Sequence, residues 1–328
     1  MNQPAVVQKP DDPNLYLFAV DEWFCYNMQN EPLGSGSMGT VYLGYRLKNG
    51  EKVAIKRVKD SFSNNYSIRE RAKQEASLAF RHPNLVEMLG YCEYAPTYGP
   101  IFIISRFING TKLDEHVKMY LDDREDRVYK ICNCILSVLD ALDYIHSRGV
   151  VHRDIKPTNI MVENGMNIRL MDLGIARMNQ GNKFSAYGFV GTPQYAAPEQ
   201  IIRDGNSSVQ INASTDIYEL GITCYELLAG TNPFDCESEI ITLTKQLTEK
   251  LPASNAIPRK LMQVLWKATE KNQLKRYQTA RQFKASIEQA IQPKTNIYQL
   301  LTETIERYPV IIGGILGIIL TIIIILIM

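Results

Sequence analysis

Three glycines stand in Gly34-Ser35-Gly36-Ser37-Met38-Gly39, at G-x-G-x-x-G spacing. Lacking Cβ atoms there, a backbone turn can lie close over phosphate groups. The spacing alone also fits a dinucleotide loop, but the residues that follow do not. Val41-Tyr42-Leu43 favours a strand where a dinucleotide site needs a helix start. Val53-Ala54-Ile55-Lys56 then follows at strand spacing. A lysine ending an apolar strand beside such a loop reads as a phosphate ligand. Further along stand His152-Arg153-Asp154-Ile155-Lys156-Pro157-Thr158-Asn159, then Asp172-Leu173-Gly174, then Ala197-Pro198-Glu199. A histidine next to an aspartate suggests acid–base work.

These residues need elements to hold them. Residues 1–20 are rich in Pro, Asp and Asn and are expected to be loose. Residues 28–108 carry strand-like runs at Val41–Tyr45, Lys52–Val58 and Ile101–Ile104, interrupted by one helical stretch near Ser67–Phe80. Residues 111–292 read as mostly helical. Tyr129, Cys132, Ile135, Leu136, Leu139, Leu142 and Ile145 recur at helical spacing, and Glu219–Leu228 and Arg259–Thr269 look similar. A β-rich part followed by a helical part predicts an α+β, two-lobed protein. The expected organisation is an extension over 1–27, an N-lobe over 28–108, a C-lobe over 109–292, a polar spacer over 293–309 and an apolar segment over 310–328.

Composition narrows the function classes. Of 328 residues, 45% are hydrophobic and 22% charged, an ordinary globular balance that excludes a wholly disordered chain. Lys+Arg 36 against Asp+Glu 35 gives +1, which argues against a nucleic-acid partner held by phosphate contacts. Six cysteines form no CxxC pair and only four histidines could help them, so neither a zinc ribbon nor a disulfide scaffold is expected. A reducing compartment fits better. Cys132 and Cys134 read as ordinary helix residues.

In order and spacing, the glycine loop, Val53–Lys56, His152–Asn159, Asp172–Gly174 and Ala197–Glu199 resemble the signature set of eukaryotic-like, Hanks-type serine/threonine protein kinases. The resemblance covers residues 28–290. It implies a bilobed kinase fold and transfer of the γ-phosphoryl of ATP, which needs positioning and charge neutralisation more than covalent chemistry. By resemblance, Lys56 holds the α/β-phosphates and Lys156 neutralises the γ-phosphate. Asp154 orients the acceptor hydroxyl or takes its proton, while Asn159 and Asp172 bind Mg²⁺. Gly34, Ser35, Gly36, Ser37, Met38 and Gly39 cover the nucleotide. Val41, Ala54 and Met161 sandwich the adenine. Ser105 takes the gatekeeper position, and the Arg106 carbonyl and Ile108 amide face the base. Ile155-Lys156-Pro157 after the aspartate favours Ser/Thr hydroxyls on a protein substrate. Asp216-Ile217-Tyr218-Glu219-Leu220-Gly221 resembles the helix that braces the catalytic loop, with Tyr218 where Trp is common, and Arg276 resembles the late arginine that pairs with Glu199. Under this resemblance His152 is a packed residue rather than an acid or base. Met38 and the C-terminal segment resemble bacterial members.

The sequence also departs from that pattern. Leu173 replaces the usual Phe, and the helical partner of Lys56 is expected to be Glu75, although it lies only seven residues before His82, with Glu70 as the alternative. A catalytically dead scaffold and a small-molecule kinase are the alternatives. The intact Lys56, Asp154, Asn159 and Asp172 weigh against the first; Gly191-Thr192-Pro193 and Ala197-Pro198-Glu199, which resemble a peptide-docking segment, weigh against the second. Ser185, Tyr187 and Thr192 are candidates for phosphorylation between Asp172 and Glu199. Ser185 is the favoured one, since Thr192 is expected to hold the catalytic loop.

Val310–Met328 is 19 residues with ten Ile, three Leu, three Gly and no charge. As a helix it would reach about 28 Å, close to the hydrocarbon thickness of a bilayer. It is expected to anchor the chain as a single-pass tail, with Lys294 and Arg307 favouring a kinase domain on the cytoplasmic side. Gly313 and Gly317 have the G-x-x-x-G spacing at which two membrane helices can approach, so a homodimer is an allowed partner.

Overall fold

The computed structural model describes residues 5–36, 39–63, 66, 69–70, 73, 80–95, 97–121, 126–172, 191–202 and 210–292. The first half is an antiparallel sheet of β1 (Val6–Gln8), β2 (Asn14–Ala19), β3 (Glu22–Asn27), β4 (Gly34–Ser35), β5 (Gly39–Arg46), β6 (Lys52–Val58), β7 (Met88–Glu93) and β8 (Ile101–Arg106). Its order is β1-β2-β3-β5-β6-β8-β7, with β4 paired to β5. The three expected strand runs fall inside β5, β6 and β8.

The N-terminal residues correct the sequence-based expectation. Residues 6–19 are not loose but supply two strands of the sheet. Their Pro, Asp and Asn residues build turns. Asp12 accepts hydrogen bonds from the Asn14 amide at 2.9 Å and the Tyr16 hydroxyl at 2.7 Å. Val20 and Asp21 both take positive φ, 49° and 61°, in the tight turn between β2 and β3. Leu15, Leu17 and Ala19 alternate inward along β2 and share one core with Phe24, Tyr26, Val53, Ile55, Phe102 and Ile104. The sheet curls until its edges meet: the Cys92 thiol on β7 donates to the Ala5 carbonyl at 3.0 Å, and a Cβ on Gly90 would stand 2.9 Å from that of Ala19.

A short helix α1 (Asp60–Ser63) follows β6. Most of the helix expected over Ser67–Phe80 lies outside the described residues.

The second half opens with β9 (Gly110–Lys112) and α2 (Leu113–Tyr120), then α3 (Arg127–His146). The strands β10 (Ile160–Glu163) and β11 (Asn167–Leu170) complete a small sheet of order β11-β10-β9. Helices α4 (Pro198–Ile201), α5 (Ala213–Ala229), α6 (Glu239–Thr248), α7 (Arg259–Ala268) and α8 (Ala280–Ile291) follow. The periodic stripe of α3 faces the core through Cys132, Ile135, Leu139, Leu142 and Ile145, but Tyr129 at its start is exposed. α5 is buried from Ser214 to Tyr225, which is why it has no solvated face and its polar side chains are turned to buried partners. It starts sharply because Asn212 caps it, its side chain accepting from the Ser214 amide at 2.9 Å. No helix among the described residues is long and apolar enough to cross a membrane. The spacer 293–309 and the apolar segment 310–328 lie outside them.

Candidate functional site

The glycine loop is the turn of the β4–β5 hairpin. Gly34 pairs with Val41 and Ser35 with Thr40, and the Gly36 amide donates to the Gly39 carbonyl at 2.9 Å. Only glycine fits at position 39, since a Cβ there would stand 2.5 Å from the Arg57 carbonyl oxygen. Ser37 and Met38 lie outside the described residues. Val41 sits opposite Lys56, and Ala54, two residues earlier on β6, sits opposite Ser105 of β8. Strand alternation therefore puts Val41, Ala54 and Lys56 on one face. Beyond β8, Ile108 is buried. The Arg106 guanidinium pairs with Glu163 on β10, whose other oxygen accepts from Arg169 at 2.8 Å. Met161 is two residues from Glu163 on that strand and half-buried.

Lys56 Nζ lies 2.8 Å from Asp172 Oδ1, an ion pair that joins a sheet residue of the first half to a loop residue of the second. Asp172 holds φ at 49°, a strained value for a non-glycine residue and one found at functional sites. Glu75 lies outside the described residues. Glu70 has its carboxylate 3.9 Å from Lys73.

The loop after α3 is fixed from below by a buried charge. The Asp216 carboxylate, in the first turn of α5, accepts from the backbone amides of His152 at 2.8 Å and Arg153 at 2.7 Å, and pairs with His146 Nε2 at 2.7 Å. Burial alone would raise its pKa, but the hydrogen bond and charge of His146, with help from His152 and the Arg153 amide, hold it below 3.8. These bonds keep Arg153 at φ 67°. His152 is fully buried. Its Nε2 faces the Met171 carbonyl at 2.8 Å, so Nε2 carries the proton, and its Nδ1 accepts from the Asp154 amide at 3.3 Å. Burial pushes its pKa down. With both nitrogens used, this histidine is structural.

Four side chains then converge. Asp154 Oδ1 accepts from Thr192 Oγ1 at 3.1 Å and Oδ2 from Asn159 Nδ2 at 2.9 Å. Lys156 Nζ donates to Thr192 Oγ1 at 2.8 Å and lies 3.2 Å from Asp154 Oδ2. Asn159 Nδ2 also donates to the Asp154 carbonyl at 2.8 Å, which turns its amide oxygen away from Asp154. That leaves an amide oxygen and a carboxylate, hard donors of the kind Mg²⁺ takes. No cluster of three His, Cys, Asp or Glu that could cage a metal occurs among the described residues. Two protein oxygens completed by phosphate and water is the arrangement Mg²⁺ commonly takes, so the donor set fits.

Sequence reasoning missed several supports. Glu219 accepts from the Ile155 amide at 2.7 Å and from Gln200 Nε2 at 2.8 Å. Thr223 donates to the Ile155 carbonyl at 3.2 Å. With Asp216 they stand three and four residues apart along α5, so the signal was the polar side chains at 216, 219 and 223 on one face of a largely apolar helix. Glu199 and Arg276 form a bidentate pair at 2.7 and 2.8 Å with almost no exposure, as expected. Ser185 and Tyr187 lie outside the described residues.

With this geometry in place, comparison with known proteins gives a consistent answer. The family model described as protein kinase domain matches residues 27–290. The chain is 31% identical over 267 residues to the serine/threonine-protein kinase PrkC of Bacillus subtilis, covering 79% of this chain and 39% of that protein. It is 31% identical over 267 residues to PknB of Mycobacterium tuberculosis, covering 78% and 41%. It thus spans about two-fifths of the length of these curated relatives. The crystal structure of the PknI kinase domain of Mycobacterium tuberculosis superposes with a TM-score of 0.61 at 24% identity, over 79% of this chain and 94% of that one, a likeness of fold.

Proposed function

The chain belongs to the protein kinase domain family, alongside bacterial Hanks-type serine/threonine kinases, and from that premise we propose that it transfers the γ-phosphoryl of ATP to Ser or Thr hydroxyls of protein substrates at the membrane. The observation that carries the reading is the joint placement of Lys56 against Asp172 and of Asp154, Lys156 and Asn159 around Thr192. A dead scaffold has no chemical need for that constellation. A small-molecule kinase has no need for Thr192, on the peptide-docking segment, to bind the catalytic loop.

Each residue has a role the geometry supports. Lys56 holds the α/β-phosphates, its ammonium kept in place by Asp172. Asp154 orients the acceptor hydroxyl and takes its proton, with Asn159 and Thr192 each holding one of its oxygens. Lys156 reaches the transferred phosphate from the same cluster. Asp172 and the Asn159 amide oxygen hold Mg²⁺, which when bound neutralises phosphate charge. Val41, Ala54 and Met161 enclose the base, with Ser105, Arg106 and Ile108 at its edge. Glu75 is the proposed helical partner of Lys56. The segment 310–328 is the proposed anchor, with the kinase domain on the cytoplasmic side.

The test is phosphate transfer from γ-labelled ATP to myelin basic protein by the purified chain. Lys56→Met and Asp172→Ala are expected to abolish transfer while the protein stays folded by circular dichroism. Asp154→Asn is expected to lower it by about 10²–10⁴-fold with ATP binding retained. Transfer at the wild-type rate by Asp172→Ala would overturn the assignment.

A further inference from the structure

Two buried side chains, Tyr218 and Gln246, stand in series with the half-buried Lys271 beneath the peptide-docking segment, and none belongs to the reacting cluster. Lys271 Nζ donates to the Tyr218 hydroxyl oxygen at 2.7 Å. The Tyr218 hydroxyl donates to Gln246 Oε1 at 2.6 Å. Gln246 Nε2 donates to the Gln194 carbonyl at 2.5 Å and the Pro193 carbonyl at 3.3 Å. The next residue back is Thr192, whose hydroxyl holds Asp154. We propose that Lys271, Tyr218 and Gln246 are positioning residues that fix the Pro193–Gln194 backbone and so set how tightly a protein substrate docks, without touching ATP or the reacting atoms. This rests on the protein-substrate reading above.

The line has a direction set by donor counts. An ammonium has three donors and no acceptor, so a charged Lys271 can only give a proton to the Tyr218 oxygen. Tyr218 must then point its own proton at Gln246. Burial raises the Tyr218 pKa, so the hydroxyl stays protonated. Gln246, buried without exposure, has its amide orientation forced: its oxygen takes the tyrosine proton and its NH₂ faces the two carbonyls. A neutral Lys271 would present a lone pair and compete for the tyrosine proton, leaving the Gln246 oxygen unpaired. The setting makes that exchange accessible. The Lys271 ammonium lies over the rings of Phe234 at 4.6 Å and Tyr218 at 5.1 Å. Burial and the Arg276 charge push its pKa down to about 7, against the opposing pull of Glu249 and Glu270. The remaining charge nearby, Glu199, is taken up by Arg276.

The experiment is steady-state kinetics of the full chain with ATP and myelin basic protein, at pH values on either side of about 7. Gln246→Met is expected to raise the KM for the protein roughly 5- to 30-fold, as the loss of its two hydrogen bonds to the Pro193 and Gln194 carbonyls would. Its KM for ATP and its ATP hydrolysis without acceptor should match the wild type. The wild-type KM for the protein should rise with pH through about 7 as Lys271 loses its charge. Lys271→Arg, charged throughout, should keep that KM low and flat, and Lys271→Met should keep it high and flat. A flat wild-type profile, a wild-type slope retained in Lys271→Arg, or a KM for ATP that rises in step with that for protein would overturn the proposal. If Gln246→Met fails to fold, the wild-type and Lys271→Arg profiles still decide. Absence of transfer by the wild type would instead overturn the protein-kinase reading itself.

Discussion

Asp216 has no exposed surface, yet three donors make its charge tolerable, and two of those donors are the backbone of the catalytic loop. The same carboxylate thus supports both stability and geometry. Asp216→Asn would keep the volume but turn an NH₂ toward one of those amides. We expect phosphate transfer to fall about 10²-fold, the cost of a misplaced catalytic group, with ATP binding little changed. Kinetics alongside ATP titration would check this. The pH sign follows from the depressed pKa: the ionised group binds its donors better in the folded state, so its contribution is present above 3.8 and is lost as pH falls through the lower folded value. Acid denaturation of the wild type should therefore show a loss in that range that Asp216→Asn lacks. Arg276 is a different case, because its pair with Glu199 is buried from water on both sides. Arg276→Met strands the carboxylate and should cost about 3–5 kcal/mol in urea unfolding, the usual penalty for an uncompensated buried charge.

At the level of elements, the hairpin of β1 and β2 is a feature that falls outside the matched kinase family model. It lies before residue 27, where the family model begins. Even so, Leu15 and Leu17 sit in the same core as Val53 and Ile55, the neighbours of Lys56. Leu17 has no exposure, so Leu17→Ala should cost about 2–5 kcal/mol. A chain starting at residue 22 should unfold at clearly lower urea and bind ATP less tightly. An unchanged unfolding midpoint would mean that the hairpin is only an appendage. The sequence hid this element because Pro10, Asp11, Asp12, Pro13 and Asn14 dominate its composition, while the alternation of Leu15, Leu17 and Ala19 spans only three inward positions. Strands β5 and β6 were legible because long apolar alternation brackets a glycine turn. The site was legible for Lys56, Asp154, Asn159 and Asp172, the residues that carry the proposed chemistry. For Glu219 and Thr223 the spacing marked a polar stripe on α5 but not what it binds, and Gln200 and Gln246 carried no local signal, because they reach backbone carbonyls 47 or more residues away and side chains on other elements.

On the scale of the whole molecule, the question is where the kinase domain works. A 19-residue uncharged run of Ile, Leu and Gly is expensive to leave in water and long enough, at about 28 Å, to replace bilayer hydrocarbon. Moving it into lipid would satisfy every backbone polar group within the helix. Lys294 and Arg307, on the domain side of that run, favour retention of that side in the cytosol. Gly313 and Gly317 would let two such helices approach closely, which raises the local concentration of kinase domains and favours phosphorylation of one by the other. The full chain is therefore expected in the membrane fraction, released by detergent and not by high salt or carbonate. Removing residues 309–328 should give a soluble kinase with unchanged kcat on myelin basic protein but slower autophosphorylation at low concentration. Gly313→Ile combined with Gly317→Ile should remain in the membrane and lose crosslinked dimer. Full chain in the soluble fraction would refute the anchor, whereas undiminished crosslinking of the double variant would refute helix pairing and leave the anchor standing.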